Sequence, residues 1–241
     1  MLDILERPSA LRDPDAFMSW FARIAAELLG RSRLYVRGAV HRLVEVEFYF
    51  HGEDHPDPFV HRHPLQTTRG RWYFHRAGRS YRGGSFKGVD LTFGDGAAHG
   101  GILVRSLETP EGRLVVGPSL CVDHLLASTD LSSVAQLDRA IGDRAACDPG
   151  APLYLAEGAD ANVTLFRSAR VGLSLKRHQD ALARDRLARP YRFLTDPRRV
   201  TKGRAELIAA LLLEGRSPDE IRRLTGSPLR TIAAKRTPSN A

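Results

Sequence analysis

The chain has 241 residues, 42% of them hydrophobic, which allows one substantial core and a small appendage. No apolar run approaches a membrane span, and the opening MLDILERPSALRDPDAF carries acids and a proline where a signal peptide needs a basic start and an apolar stretch. Cys121 and Cys147 are too few and too far apart for a disulfide framework or a zinc quartet, so a reduced, cytoplasmic protein is expected. The net charge of +8 and pI near 10.0 suit a polyanionic partner, or reflect no more than an arginine-rich composition. The asymmetry favours the partner: from Phe166 onward about 18 basic residues face about 7 acidic ones, while the rest is slightly acidic.

Residues 14–30 place Phe17, Trp20, Phe21, Ile24, Leu28 and Leu29 at helical spacing, with Gly30 where a C-terminal cap belongs. Short strand-like runs follow at 34–36, 44–50, 72–74, 89–93 and 102–107. The connector 51–70, rich in His, Pro and Asp, is too long for a simple turn. In GPSLCVDHLLA, Ser119 is placed to cap a second core helix. Residues 143–160 read as loop, 162–171 as another strand and 176–202 as a basic stretch. These elements predict an α+β core, a curved antiparallel sheet with helices packed against it.

The last forty residues look separable, dividing the chain into 1–202, a segment 203–236 and a tail 237–241. RAELIAALLLEG predicts a helix ending at Gly215, and Ser217-Pro218-Asp219-Glu220 a strong start to a second that ends at Gly226. Ser227-Pro228 starts a third. Two readings fit this pattern: a helix-turn-helix contacting DNA through Arg222, Arg223, Arg230, Lys235 and Arg236, or a plain helical cap on the core.

The segment EVEFYF alternates strictly, placing Glu45, Glu47 and Tyr49 on one face of a strand and Val46, Phe48 and Phe50 on the other. Such a face is either the solvated side of an edge strand or a water-activating carboxylate beside an aromatic platform.

AELLGRSRLY, RLVEVEFYF, GEDHPDPFVHR, FGDGAAHGGILVRSLE, GPSLC, SARVGL and RPYRF occur in this order between Ala26 and Phe193. In order and rough spacing they resemble the alkyladenine (3-methyladenine) DNA glycosylase family; the C-terminal helices lie outside the resemblance. It implies a monofunctional, monomeric enzyme without metal or cofactor or obligate protein partner. Such an enzyme flips a modified base from double-stranded DNA and hydrolyses its N-glycosidic bond, leaving an abasic site. Carried over by motif, Glu47 is the catalytic glutamate, Arg105 helps hold the water, Tyr49 stacks on the flipped base, and the backbone at Val171 lines the same spot. His61 is the favoured match to a nucleotide-contacting histidine, with His55 and His63 as alternatives. Zinc bound by His61, His63 and Asp54 or Asp57 is a weaker reading, because the spacing is not a strong zinc pattern.

The chain departs from the family in the hairpin AGRSYRGGSFKGVDLTFG, where several aromatic positions are glycine, lysine or aspartate. Tyr81 remains as a base-binding candidate. Phe86 is either the wedge inserted between base steps or a core residue. The family's pocket asparagine has no clear counterpart. Lys87, Arg192, Lys202, Arg222 and Arg230 are the expected DNA-backbone contacts. Fewer aromatic walls weaken cation–π clamping of an alkylated purine, so the substrate is either an alkylated, damaged base or a bulkier hypermodified phage base. A non-catalytic DNA-binding regulator with a vestigial pocket is the alternative. DNA binding would place the protein at the nucleoid.

Overall fold

The computed structural model describes residues 2–9, 11, 13–158, 163–176 and 179–231. In chain order the main elements are α1 (Pro14–Ala26), β1 (Ser32–Val36), β2 (Ala39–His51), β3 (Arg69–Phe74), β4 (Arg76–Ala77), β5 (Ser80–Tyr81), β6 (Val89–Phe93), β7 (His99–Glu108) and β8 (Leu114–Val116). There follow α2 (Pro118–Thr129), α3 (Val134–Ile141), β9 (Leu153–Glu157), β10 (Phe166–Ser168), α4 (Ala181–Ala188), β11 (Arg192–Leu194), α5 (Arg204–Leu213) and α6 (Pro218–Thr225). The main sheet is antiparallel in the order β10-β11-β2-β7-β6-β3, with β8 beside β7 and β1 bridging β2 to β9. Register shifts in β2 and β3 bend it, giving the curved antiparallel sheet and packed helices of an α+β fold. No helix among the described residues is long and apolar enough to cross a membrane.

Local chemistry explains the main elements. Asp13 caps α1 by accepting from the amides of Asp15 and Ala16, and Pro14 takes the first turn, where no amide partner is needed. The apolar stripe Phe17, Trp20, Phe21 and Ile24 is fully buried, with Phe21 stacked on Phe48 at 4.8 Å. Each such side chain contributes about 1.5–3 kcal/mol of burial. The helix does not stop at Gly30: it continues as a π-type turn, Glu27–Arg31, with Gly30 buried inside it. Arg37 and Gly38 both take positive φ, 47° and 84°, the two-residue turn that suits a twisted hairpin between β1 and β2.

Four further expectations change. Within 143–160, LYLAE forms β9 against β1, its short alternation masked by flanking Pro, Gly and Asp. Of 162–171 only Phe166–Ser168 is strand, and Asn162 lies outside the described residues. The basic stretch contains α4 and β11. Ser119 does not cap α2; Gly117 occupies that position, and the Ser119 hydroxyl donates to the Gly84 carbonyl.

The C-terminal helices pack on the sheet. A bulge between Leu43 and Glu45 inverts the side-chain parity of β2, sending Leu43 to the main core and Val44 to a second cluster. There Val44, Leu194 and Val200 meet Leu207, Ile208 and Leu211 of α5 and Ile221 of α6. Ser217 and Glu220 form a reciprocal capping box, and Gly226 closes α6 with φ of 69°. The third helix begins at 229–231; Lys235, Arg236 and the tail lie outside the described residues.

Candidate active site

β2 is a central strand, and this decides between the two readings of its acidic face. Glu45 and Glu47 are both 0% exposed. Cross-strand register lines up Ser168, Arg192, Glu47, Leu103, Asp90 and Tyr73 as one row over β10, β11, β2, β7, β6 and β3. Directly paired residues project from the same face, so these six side chains share one face of the sheet.

Both carboxylates of β2 are met by matched donors. Glu47 accepts from the Val171 amide at 2.6 Å, the Tyr49 hydroxyl at 2.9 Å and Arg105 Nη1 at 3.3 Å. Glu45 accepts from Arg192 Nε at 2.6 Å, Arg105 Nε at 3.1 Å and the Ser106 hydroxyl. Two buried acids are thus balanced by two buried guanidinia, which unpaired burial of either charge would not permit. Burial alone would lower the Arg105 pKa, but Glu47 and Glu45 hold it above its ordinary value. Burial and then the Glu47 charge push the Tyr49 phenol well above its ordinary value, so it stays protonated and donates.

Tyr49 is held from behind. Arg170, fully buried, lies over its ring with the guanidinium carbon 4.5 Å from the centroid. Arg170 also bonds Asp57 at 2.7 Å and the carbonyls of Phe48 and Arg186 at 3.2 and 3.1 Å. Burial opposes its charge, and the Asp57 carboxylate more than restores it.

Over this face opens a cavity of about 290 Å³, at the small end of ligand pockets and of a size for one heteroaromatic ring system. Tyr49, Leu103, Arg105 and Val171 form its base; His61, His75, Asp90 and Gln66 form one wall; Arg82, Phe86 and Lys87 stand at the hairpin side. Glu47 lies just beneath the lining, covered by its three donors. His61 faces the cavity, its ring 4.4 Å from that of His75. Burial, which strips water from the charged form, and then the His75 charge push its imidazole down to about 4, leaving it neutral at physiological pH. His63 instead caps a short 3-10 turn by accepting from the Leu65 amide and stacks on Tyr73, and His55 is buried between the Phe50 carbonyl and the Tyr191 hydroxyl.

Two expected site residues are elsewhere. Arg192 is 0% exposed, committed to Glu45, Ser168 and the carbonyls of Lys202 and Gly203, and cannot reach a phosphate. Tyr81 lies outside the cavity, where Arg76 covers its ring and its hydroxyl donates to Asp138 of α3. Phe86 is 70% exposed on the lip and is not core. Lys87 lines the cavity and pairs with Asp123; Lys202, Arg222 and Arg230 are exposed. Arg170, His75, Asp90 and Gln66 were not anticipated, and Asp57, considered only as a zinc ligand, pairs with Arg170 instead. The signals were an arginine inside SARVGL and a lone acid in the apolar run VDLTF.

No protein-family model matches the chain. An uncharacterized protein, L759, of Acanthamoeba polyphaga mimivirus is 35% identical over 133 residues, covering 49% of this chain and 62% of that protein. The chain thus matches less than two thirds of this relative's length.

Proposed function

We propose that the protein is a monofunctional DNA glycosylase, which turns one modified base out of double-stranded DNA into this cavity and hydrolyses its N-glycosidic bond. The observation that carries the reading is the buried Glu47, oriented by Val171, Arg105 and Tyr49 at the base of a ring-sized pocket. A carboxylate so held can orient and deprotonate a water, and Arg105 stabilises the charge on it. For that the Glu47 oxygen bonded to Tyr49 must be presented to the water, so the phenol yields its hydrogen bond as the base stacks on its ring. Phe86, exposed at the lip, supplies the apolar wedge that fills the gap in the duplex. Lys87, Lys202, Arg222 and Arg230 provide phosphate contacts, consistent with the basic C-terminal part.

The base removed is either an alkylated, damaged base, in repair, or a hypermodified phage base, in defence. Exposed arginines on α6 also suit a second reading, a DNA-binding regulator in which the pocket is vestigial. Incubation with duplexes bearing single modified bases and with phage DNA, followed by alkaline cleavage, separates the two. Abasic sites are expected; intact strands throughout, with tight binding to one operator sequence, would favour the regulator.

A further inference from the structure

The cavity has a polar wall that water activation does not use. Asp90 is the single acidic side chain among the described residues lining the cavity, and it is 2% exposed. Asp90 and Glu47 are each in register with Leu103, on strands either side of β7. The two carboxylates therefore flank the pocket floor from opposite sides, two strand spacings or about 10 Å apart at the backbone. Asp90 accepts from His75 Nε2 at 2.7 Å and from Gln66 Nε2 at 3.1 Å.

Glycines make room for this pair. A Cβ on Gly101 would sit 2.5 Å from Asp90 Oδ2, and one on Gly88 would sit 2.6 Å from His75 Nδ1. His75 lines the cavity, and its Nδ1 has no hydrogen-bond partner among the described residues. A carboxylate bonded to one imidazole nitrogen fixes the tautomer and stabilises the imidazolium, leaving the other nitrogen to exchange the proton.

We infer that His75, positioned by Asp90, is a general acid that protonates the departing base, and that the substrates are neutral modified bases rather than cationic alkylpurines. This rests on the base-excision reading. A cationic alkylpurine leaves as a neutral molecule and needs no proton, whereas a neutral base leaves as an anion unless one is supplied. Glu47 takes a proton from water as the water oxygen bonds to the sugar carbon C1′. The C1′–N bond breaks, its electron pair passes to the base, and His75 Nδ1 gives its proton to the base. Glu47 then loses its proton to solvent and His75 regains one, so a single water is consumed. Tyr49 points the same way: Arg170 already neutralises the negative potential of the ring on which a cation would stack. Arg82 on the hairpin side disfavours a cation further.

Single-turnover base release, read by mass spectrometry, tests this on three probes. These are a duplex with hypoxanthine, phage DNA with hypermodified bases, and a duplex treated with dimethyl sulfate to hold cationic 7-methylguanine. The wild type should release a neutral base. His75→Gln should slow that release about 100-fold or more, and Asp90→Asn in the same direction. Any release of 7-methylguanine should slow at least ten times less. If the wild type releases no cationic base, His75→Gln must instead keep its affinity for the uncleaved neutral-base duplex within about threefold. Release of cationic bases alone, equal slowing of both classes, loss of duplex affinity in step with rate, or no slowing would each overturn the inference with base excision intact. Release of nothing from any probe would instead sink the base-excision reading.

Discussion

Replacing Arg170 by methionine tests the platform behind Tyr49. The substitution keeps most of the side-chain volume but leaves Asp57, itself 0% exposed, as an uncompensated buried charge. Removing one partner of a buried pair costs about 3–5 kcal/mol, and loss of a desolvated cation–π interaction falls within that range. For a chain of this length the loss corresponds to a fall in Tm of roughly 6–20 °C. Urea unfolding followed by the fluorescence of Trp20 and Trp72, both buried, measures it directly. Asp57→Asn on top of Arg170→Met removes the stranded charge while retaining a hydrogen-bonding group for the Phe59 amide, and should regain more than about 1 kcal/mol. A loss under about 1 kcal/mol for Arg170→Met, or a double variant less stable than the single one, would refute this account of the pair.

Two further outcomes follow from charge and burial. His55 is pushed down to about 4 by burial and then by Arg186, whereas an unfolded imidazole titrates near 6.5, so the unfolded chain takes up the proton first as pH falls. Its contribution to stability is full above about pH 6.5, is lost between there and about pH 4, and amounts to about 3 kcal/mol. His55→Gln should flatten the stability profile in that window, and an unchanged acid limb would contradict the assignment. Replacing Arg222, Arg223 and Arg230 together by alanine should leave folding intact, since all three are exposed. It should also lower the slope of log affinity for DNA against log salt by about 0.9 for each phosphate no longer neutralised; an unchanged slope would mean that these helices do not touch the backbone.

Much of the fold was legible because its signals are local. The alternation of EVEFYF placed Glu47 and Tyr49 on one face, the helical spacing from Phe17 to Ile24 marked α1, and the Ser217 cap marked the start of α6. What a strand packs beside is not local, so the pattern could not say whether Glu45 faced water or a pair of guanidinia. The same limit explains Arg192 and Tyr81. An arginine in a basic stretch and a tyrosine in a hairpin look alike from the sequence whether they face a ligand or a carboxylate of the protein itself. Arg170 and Asp57 are 113 residues apart, and nothing in either segment announces the other. The polar wall of Asp90, His75 and Gln66 drew residues from three separate segments and emerged only with the register of β6 and β7.

The most direct test of the central claim is Glu47→Gln, assayed on a duplex from which the wild type releases a base. The amide keeps the size of the side chain and can still accept from the Val171 amide, but it cannot take a proton from water. Single-turnover release should fall about 100- to 10,000-fold while affinity for the uncleaved duplex stays within a few-fold. Release at the wild-type rate would contradict the role given to Glu47, whatever base the pocket holds.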